Sequence, residues 1–131
     1  LRAVREGLET YGLSTTASRE TTGDTISHDL LEAELAGFLQ TQQCLVTPEG
    51  YSANMALGQA LARGFRVAIT DEKCHRSVSH AVAAAGLRVI AYPHLDVRGA
   101  ASLAQQYSTE GVVILTDGVF AADGSVAPAR S

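Results

Sequence analysis

The chain has 131 residues, of which 46% are hydrophobic and 18% charged, a balance typical of one folded globular domain. The net charge is −4 and the basic side chains are scattered singly, which argues against nucleic acid as a partner. Cys44 and Cys74 lie in different predicted elements without CxxC spacing, so we expect reduced thiols and a cytoplasmic protein.

The longest apolar stretch, residues 81–92, is too short to span a bilayer, and no membrane contact is expected. Because the chain starts at Leu1 rather than methionine, we expect it to be part of a longer protein.

The N-terminal part of the chain predicts two helices separated by a polar loop. Residues 3–11 predict a short helix that Gly12 ends. Residues 13–25 are rich in Ser, Thr and Gly, which indicates a loop. Asp24 or Thr25 is expected to cap the second helix. The apolar residues predicted to form its buried face are Leu31, Leu35, Phe38 and Leu39.

From residue 44 onward, short β-branched runs alternate with amphipathic segments. The predicted strands are residues 44–47, 66–70, 87–92 and 112–116. One predicted helix follows the turn at residues 48–50. Two further helices are predicted at residues 77–85 and 98–107. This alternation favours right-handed crossovers and parallel strands, and continuous apolar runs indicate strands covered on both faces. We therefore predict an α/β fold with three layers, in which a mostly parallel sheet is flanked by helices.

Ligands bind beyond the carboxyl ends of parallel strands, so the residues after each strand are candidates for a site. Gly50 starts a helix, where free N–H groups attract a phosphate, although a glycine there also suits a tight turn. His75 is a candidate for stacking or proton transfer, although a lone histidine is more often structural. Because His75 and His80 are five residues apart rather than four, no metal site is predicted. The segments expected to share one rim are residues 48–51, 71–75, 94–96 and 117–120.

Five segments of the chain, taken in order and spacing, carry a resemblance to a known family. They are GLSTTASRETTG (12–23), SHDLLEAELAGFL (27–39), LVTPEGYSANMAL (45–57), ITDEKCHRSV (69–78) and LTDGVFAADGSVAP (115–128). Together they resemble the α-oxoamine synthase group of the class II pyridoxal-phosphate (PLP) family. The resemblance implies a homodimer with the aspartate-aminotransferase-like fold, PLP fold type I, that condenses an amino acid with an acyl-CoA. It also implies an N-terminal helix and substrate-side loop in residues 1–24 and part of the PLP-binding large domain in residues 25–131.

The same resemblance implies roles for seven residues. Those expected to bind PLP are Gly50, Tyr51, Asn54, His75 and Asp117. Those expected to bind the amino-acid substrate are Ser18 and Arg19. His75 would also be catalytic, because the family's histidine stacks on the pyridine ring and helps in proton transfer.

The chain departs from the family pattern at two positions and in one larger respect. Glu49 stands where the family usually has a small serine, and Ala121 stands where a serine is common. The family's Schiff-base lysine and the aspartate that pairs with the pyridine nitrogen come after the end of this chain. Lys73, the only lysine, matches no Schiff-base position, so these residues alone are expected to be inactive.

Two alternatives to the synthase interpretation stay open. One is a PLP-dependent aminotransferase. The other is a non-catalytic, degenerate α/β module kept for binding or dimerisation, which Glu49 and Ala121 slightly favour.

Overall fold

The computed structural model describes residues 1–14 and 17–128. The chain divides into two compact units, Leu1–Val46 and Thr47–Ser131. The family resemblance implies a boundary between residues 24 and 25, which separates a substrate-side loop from the PLP-binding domain. That assignment of roles stays a prediction. Within the described ranges, no helix has the length and apolar character needed to cross a bilayer.

Two helices form the regular structure of the first unit. Helix α1 is Arg2–Tyr11 and ends at Gly12, whose φ of 73° favours a residue without a Cβ atom. Helix α2 is Ile26–Leu39, and Thr25 is its N-cap. The backbone N–H of Thr25 donates to Nδ1 of His28 at 3.2 Å, which fixes the start of the helix. Both helices agree with the predicted ones within a residue or two.

The prediction that α2 buries one face is wrong. No residue of the helix is buried, and the side chains of Phe38 and Leu31 remain 83% and 47% exposed. The spacing of apolar residues shows which face of a helix is apolar, but it does not supply the surface that covers that face.

The predicted strand at residues 44–47 does not form. The N–H of Val46 donates to Oε1 of Glu32 at 2.7 Å, and its carbonyl accepts from Nη1 of Arg19 at 3.0 Å. Side chains therefore satisfy the backbone groups that a neighbouring strand would otherwise bond. The apolar, β-branched composition of the segment did not reveal this competition.

The second unit contains the sheet. Its helices are α3 (Gly50–Leu61), α4 (Arg76–Ala84) and α5 (Val97–Gln106), with a 3₁₀ turn at Ser108–Glu110. Its strands are β1 (Val67–Asp71), β2 (Arg88–Tyr92) and β3 (Val112–Leu115). The strand order is β2-β1-β3, and both pairs are parallel, with Ile69 opposite Ile90 and Ile114. Three of the four predicted strands are thus confirmed, and the pairing is parallel as expected.

Helices cover both faces of the central strand, whose five residues are all buried. Val67 and Ile69 pack in a cluster with Ala100 of α5. Ala68 points the other way, into a cluster with Val82 of α4. The alternation of side chains along β1 therefore joins the two helical layers to the sheet, which confirms the predicted α/β architecture.

Candidate active site

The predicted rim segments lie together where β1 and β3 end and α3 and α4 begin. The backbone N–H of His75, just before α4, donates to Oδ2 of Asp117 after β3 at 2.9 Å. The side-chain amide of Asn54 in α3 donates to Oγ of Ser77 in α4 at 2.7 Å. The third segment joins them, because the N–H of Leu95 donates to Oδ2 of Asp71 at 2.9 Å. Parallel strands deliver these residues to one edge, as the alternating pattern predicted.

A pocket of ≈ 500 Å³ opens at this rim. Four of the five residues predicted to bind the cofactor line it, and the fifth, Asp117, bonds the backbone of His75. The lining residues are Glu49, Gly50, Tyr51, Asn54, His75 and Ser77.

The N-terminus of α3 forms one wall of the pocket. A Cβ atom built on Gly50 would meet no heavy atom within 4 Å, so the backbone there is open to a ligand. Glu49 caps the helix, because its Oε1 accepts from the N–H of Ser52 at 3.1 Å and from its hydroxyl at 2.7 Å. The helix end thus combines an accessible backbone, of the kind that attracts anions, with a carboxylate that already uses one of its N–H groups.

The ring of His75 forms a second part of the wall and caps α4. Its Nδ1 accepts from the backbone N–H of Ser77 at 3.2 Å and lies 2.6 Å from the Ser77 hydroxyl. Ser77 is only 1% exposed, and its Oγ accepts from Asn54. Ser77 was not among the predicted site residues, although the second residue after an N-cap is a usual donor to the capping side chain.

Tyr51 lies between the pocket and α4. Its hydroxyl is 3.1 Å from Nδ1 of His80, and the two rings meet edge to face with centroids 6.5 Å apart. His80 therefore fixes the tyrosine side chain, a role that its sequence position did not indicate.

A buried carboxylate at the end of β1 holds the neighbouring loops, and it was not among the predicted site residues. Asp71 is 1% exposed and accepts from the N–H groups of Leu95 and Lys73, and its Oδ1 lies 3.0 Å from Nδ1 of His94. Burial alone would raise the pKa of Asp71, but these bonds together lower it below its ordinary value. The side chain therefore stays ionised and ties the loops after β1 and β2 together.

The segment after β3 is fastened to the same network. Val119 and Val126 form an antiparallel bridge, and Asp123 lies in the turn between them, where Asp-Gly is a common sequence. The hydroxyl and N–H of Ser125 and the ammonium of Lys73 lower the pKa of Asp123 to about 2. Lys73, whose Nζ lies 3.4 Å from Oδ2 of Asp123, is therefore engaged in an ion pair.

The two residues predicted to bind substrate, Ser18 and Arg19, lie in the first unit. Arg19 donates to Oδ1 of Asp24 at 2.8 Å and to Oε1 of Glu32 at 2.7 Å. The Glu32 hydrogen bond raises the pKa of Arg19 most, and the same bond lowers the pKa of Glu32. The Ser18 hydroxyl accepts from the N–H of Glu20 at 3.2 Å. These bonds order the loop, and the substrate-binding role stays a prediction.

Metal-binding side chains are not grouped at this rim. Among the described residues, no three or more His, Cys, Asp or Glu side chains are placed to hold a metal ion.

Known proteins resemble this chain along nearly its whole length. The family model described as "Aminotransferase class I and II" matches residues 1–131. The 8-amino-7-oxononanoate synthase of Trichlorobacter lovleyi is 37% identical over 128 residues, which are 97% of this chain and 33% of that protein. The chain therefore spans about a third of the length of this curated relative.

Solved structures agree with the sequence comparison. A serine palmitoyltransferase of Sphingomonas wittichii superposes with a TM-score of 0.85 at 26% identity, over 97% of this chain and 32% of that one. A serine palmitoyltransferase from S. paucimobilis, solved with PLP bound together with myriocin, gives a TM-score of 0.84 at 26% identity over the same shares. With the family model matching throughout and the sheet and rim as described, the chain belongs to the class I and II aminotransferase family.

Proposed function

We propose that the protein carrying this chain is a PLP-dependent acyltransferase that condenses an amino acid with an acyl-CoA. The observation that carries the proposal is the pocket in which the open start of α3 at Gly50 and the ring of His75 face the same space. The relatives named as 8-amino-7-oxononanoate synthase and serine palmitoyltransferase support the choice of reaction. The chain supplies part of the cofactor site of that enzyme.

The residues at the pocket fit PLP. Gly50 leaves room for a phosphate at the start of a 12-residue helix, where N–H groups and the helix dipole favour an anion. Tyr51, Asn54 and His75 line the adjoining space, and Asp117 holds the backbone of His75. PLP, when bound, supplies an electron sink for the carbon that is to be acylated. The protein's part is to anchor the phosphate, hold the ring flat and orient the substrate.

Glu49 is the one feature of the pocket that opposes a phosphate. Its carboxylate lines the pocket and bonds the N–H of Ser52, so a bound phosphate would meet a like charge there. This observation favours a second candidate, a non-catalytic module that has lost the cofactor. Because the matching family is described as aminotransferases, a PLP-dependent aminotransferase is a further candidate.

The remaining parts of the proposal concern substrate and assembly. We propose that Ser18 and Arg19 bind the amino-acid carboxylate, to which Arg19 would offer the guanidinium nitrogen not engaged with Asp24 or Glu32. We also propose a homodimer in the cytoplasm, as the family resemblance implies.

The test is an assay of coenzyme A release by the intact protein with PLP. Each proteinogenic amino acid would be paired with short, medium and long acyl-CoA thioesters. Release of coenzyme A with a defined pair supports the proposal. Transfer of the amino group to a 2-oxo acid without coenzyme A release would favour the aminotransferase instead. The absence of both reactions at saturating PLP would favour the degenerate module.

A further inference from the structure

The hydrogen bonds around His75 fix where its ring proton lies. A neutral histidine carries one ring proton, and the nitrogen that accepts hydrogen bonds is the one without it. The backbone N–H of Ser77 points at Nδ1 from 3.2 Å, and a backbone N–H can only donate. Nδ1 is therefore an acceptor, and the proton lies on Nε2.

The neighbouring side chains lead to the same assignment. The amide of Asn54 donates to Oγ of Ser77 at 2.7 Å, which leaves the single hydroxyl proton of Ser77 free to donate elsewhere. The nearest acceptor is Nδ1 of His75, only 2.6 Å away. Asn54, Ser77 and His75 thus form a relay of hydrogen bonds that all run in one direction. Ser77 is 1% exposed, so water does not compete with this relay at the hydroxyl.

We propose that Ser77 is a positioning residue that holds the His75 ring as its neutral Nε2–H tautomer, so that the ring offers the pocket a hydrogen-bond donor and not a base. With Nδ1 accepting from Ser77 and Nε2 carrying the proton, the nitrogen left for a ligand is a donor. A ring with this donor binds a ligand group that has an acceptor oxygen, such as a carboxylate, a carbonyl or a phenolate. A neutral imidazole held at a helix N-terminus is known to act as an electrophile in this way.

This inference rests on the proposed function only in treating the pocket as the place where a ligand binds. It narrows the role of His75 to that of a hydrogen-bond donor toward the ligand, because the acceptor nitrogen Nδ1 is already engaged with Ser77. Asn54 acquires a second role, since its amide orients the Ser77 hydroxyl toward the ring.

The test is a measurement of the ring nitrogen chemical shifts of His75 in the intact protein labelled with ring-¹⁵N histidine. His75→Gln identifies the resonance among the four histidines. In mildly alkaline buffer the wild type is expected to show a protonated Nε2 and an acceptor Nδ1. A dominant Nδ1–H tautomer in the wild type would overturn the proposal, whatever the variants do.

Variants of Ser77 test its own part. Ser77→Ala removes one hydrogen bond to Nδ1 and is expected to lower the ratio of the two tautomers about fivefold, whereas Ser77→Thr restores it. Ser79→Ala is the matched control, because Ser79 lies on the same helix and its hydroxyl bonds the carbonyl of Arg76 instead. An unchanged ratio in Ser77→Ala, equal to that of the control, would remove Ser77 from the site.

The measurement needs no cofactor, so its failure can be told apart from that of the proposed function. The expected tautomer without any PLP binding would leave this inference standing and refute the enzyme. PLP binding with the opposite tautomer would do the reverse.

Discussion

Glu49 places a carboxylate at a position where the family resemblance implies a small serine. Its carboxylate caps α3 and lies in the pocket, where it bonds the N–H and hydroxyl of Ser52. A small hydroxyl side chain would cap the helix equally well without adding a charge. The Glu49 side chain therefore caps the helix and at the same time lowers the affinity of the pocket for an anion. The second effect can be measured.

Replacement of Glu49 by serine is expected to strengthen the binding of PLP. Two unit charges about 4 Å apart in a water-like medium repel by roughly 1 kcal/mol, so affinity should rise at least about fivefold. The measurement is a fluorescence titration of the intact protein with PLP. Glu110→Gln is the control, because Glu110 pairs with Arg88 near the amino end of β3, away from the pocket rim. Equal affinities in the wild type and Glu49→Ser would show that the carboxylate does not face the phosphate.

The individual site residues were only partly predictable. The sequence and its family resemblance pointed to Gly50, Tyr51, Asn54 and His75, which share one pocket. Ser77 was missed, and Asp71 and His94 were predicted only as members of rim segments, because their importance comes from bonds between segments that lie far apart in the chain. A sequence pattern marks a chemically versatile side chain, but it does not show which donors and acceptors surround it.

Among the elements, helices α3 and α4 approach each other closely at a glycine. A Cβ atom on Gly58 would lie 2.7 Å from the carbonyl oxygen and 2.8 Å from the carbonyl carbon of Ala81. Neither backbone atom can move without shifting α4, which carries His75 at its start. Gly58 is therefore required by packing, and it sets the distance between the two walls of the pocket.

Gly58→Ala is expected to destabilise the protein by about 1–3 kcal/mol through overpacking, despite a helix-propensity gain of up to about 1 kcal/mol. The measurement is urea denaturation of the intact protein. Gly64→Ala is the control, since a Cβ atom there would meet nothing within 4 Å, and it should change stability by less than about 0.5 kcal/mol. A Gly58→Ala variant as stable as the control would mean that the helices are not this close.

The turn after β3 contains a carboxylate that makes its stability depend on pH. The pKa of Asp123 is lowered from 3.8 to about 2 by the hydroxyl and N–H of Ser125 and by Lys73. A lowered pKa in the folded state stabilises the fold above the ordinary pKa, and this contribution disappears as the pH falls through the folded value.

Between pH 3.8 and about 2, the wild type is therefore expected to lose stability that Asp123→Asn never had. The difference in unfolding midpoint between the two proteins should be constant above this range and vanish below it. Ser125→Ala should reduce the difference, because the Ser125 hydroxyl is the largest cause of the shift. A difference independent of pH would contradict the assigned bonds.

The elements were more predictable than the site. The strands at Val67–Asp71, Arg88–Tyr92 and Val112–Leu115 follow from continuous apolar runs, which a sheet covered on both faces requires. The strand predicted at residues 44–47 failed because Glu32 and Arg19, distant in the sequence, bond Val46. Local patterns identify an element when its partners are generic, and they fail when a specific side chain takes the place of a partner strand.

For the whole molecule, the chain belongs to the class I and II aminotransferase family, and its rim pocket is lined by the start of α3 and the ring of His75. The chain spans about a third of the length of its curated relative, so the proposed reaction is one for the intact protein. The apolar face of α2, which includes Phe38, is exposed, because no part of the described chain covers it. The residues of the proposed cofactor site share one pocket, whereas the proposed substrate role of Ser18 and Arg19 rests on the family resemblance.

The most direct test is an absorbance titration of the intact protein with PLP, followed by borohydride reduction and peptide mapping. The proposed function predicts a saturable band of bound PLP and, after reduction, covalent labelling of a lysine other than Lys73, which is engaged with Asp123. No band at saturating PLP, or labelling of Lys73 itself, would contradict it.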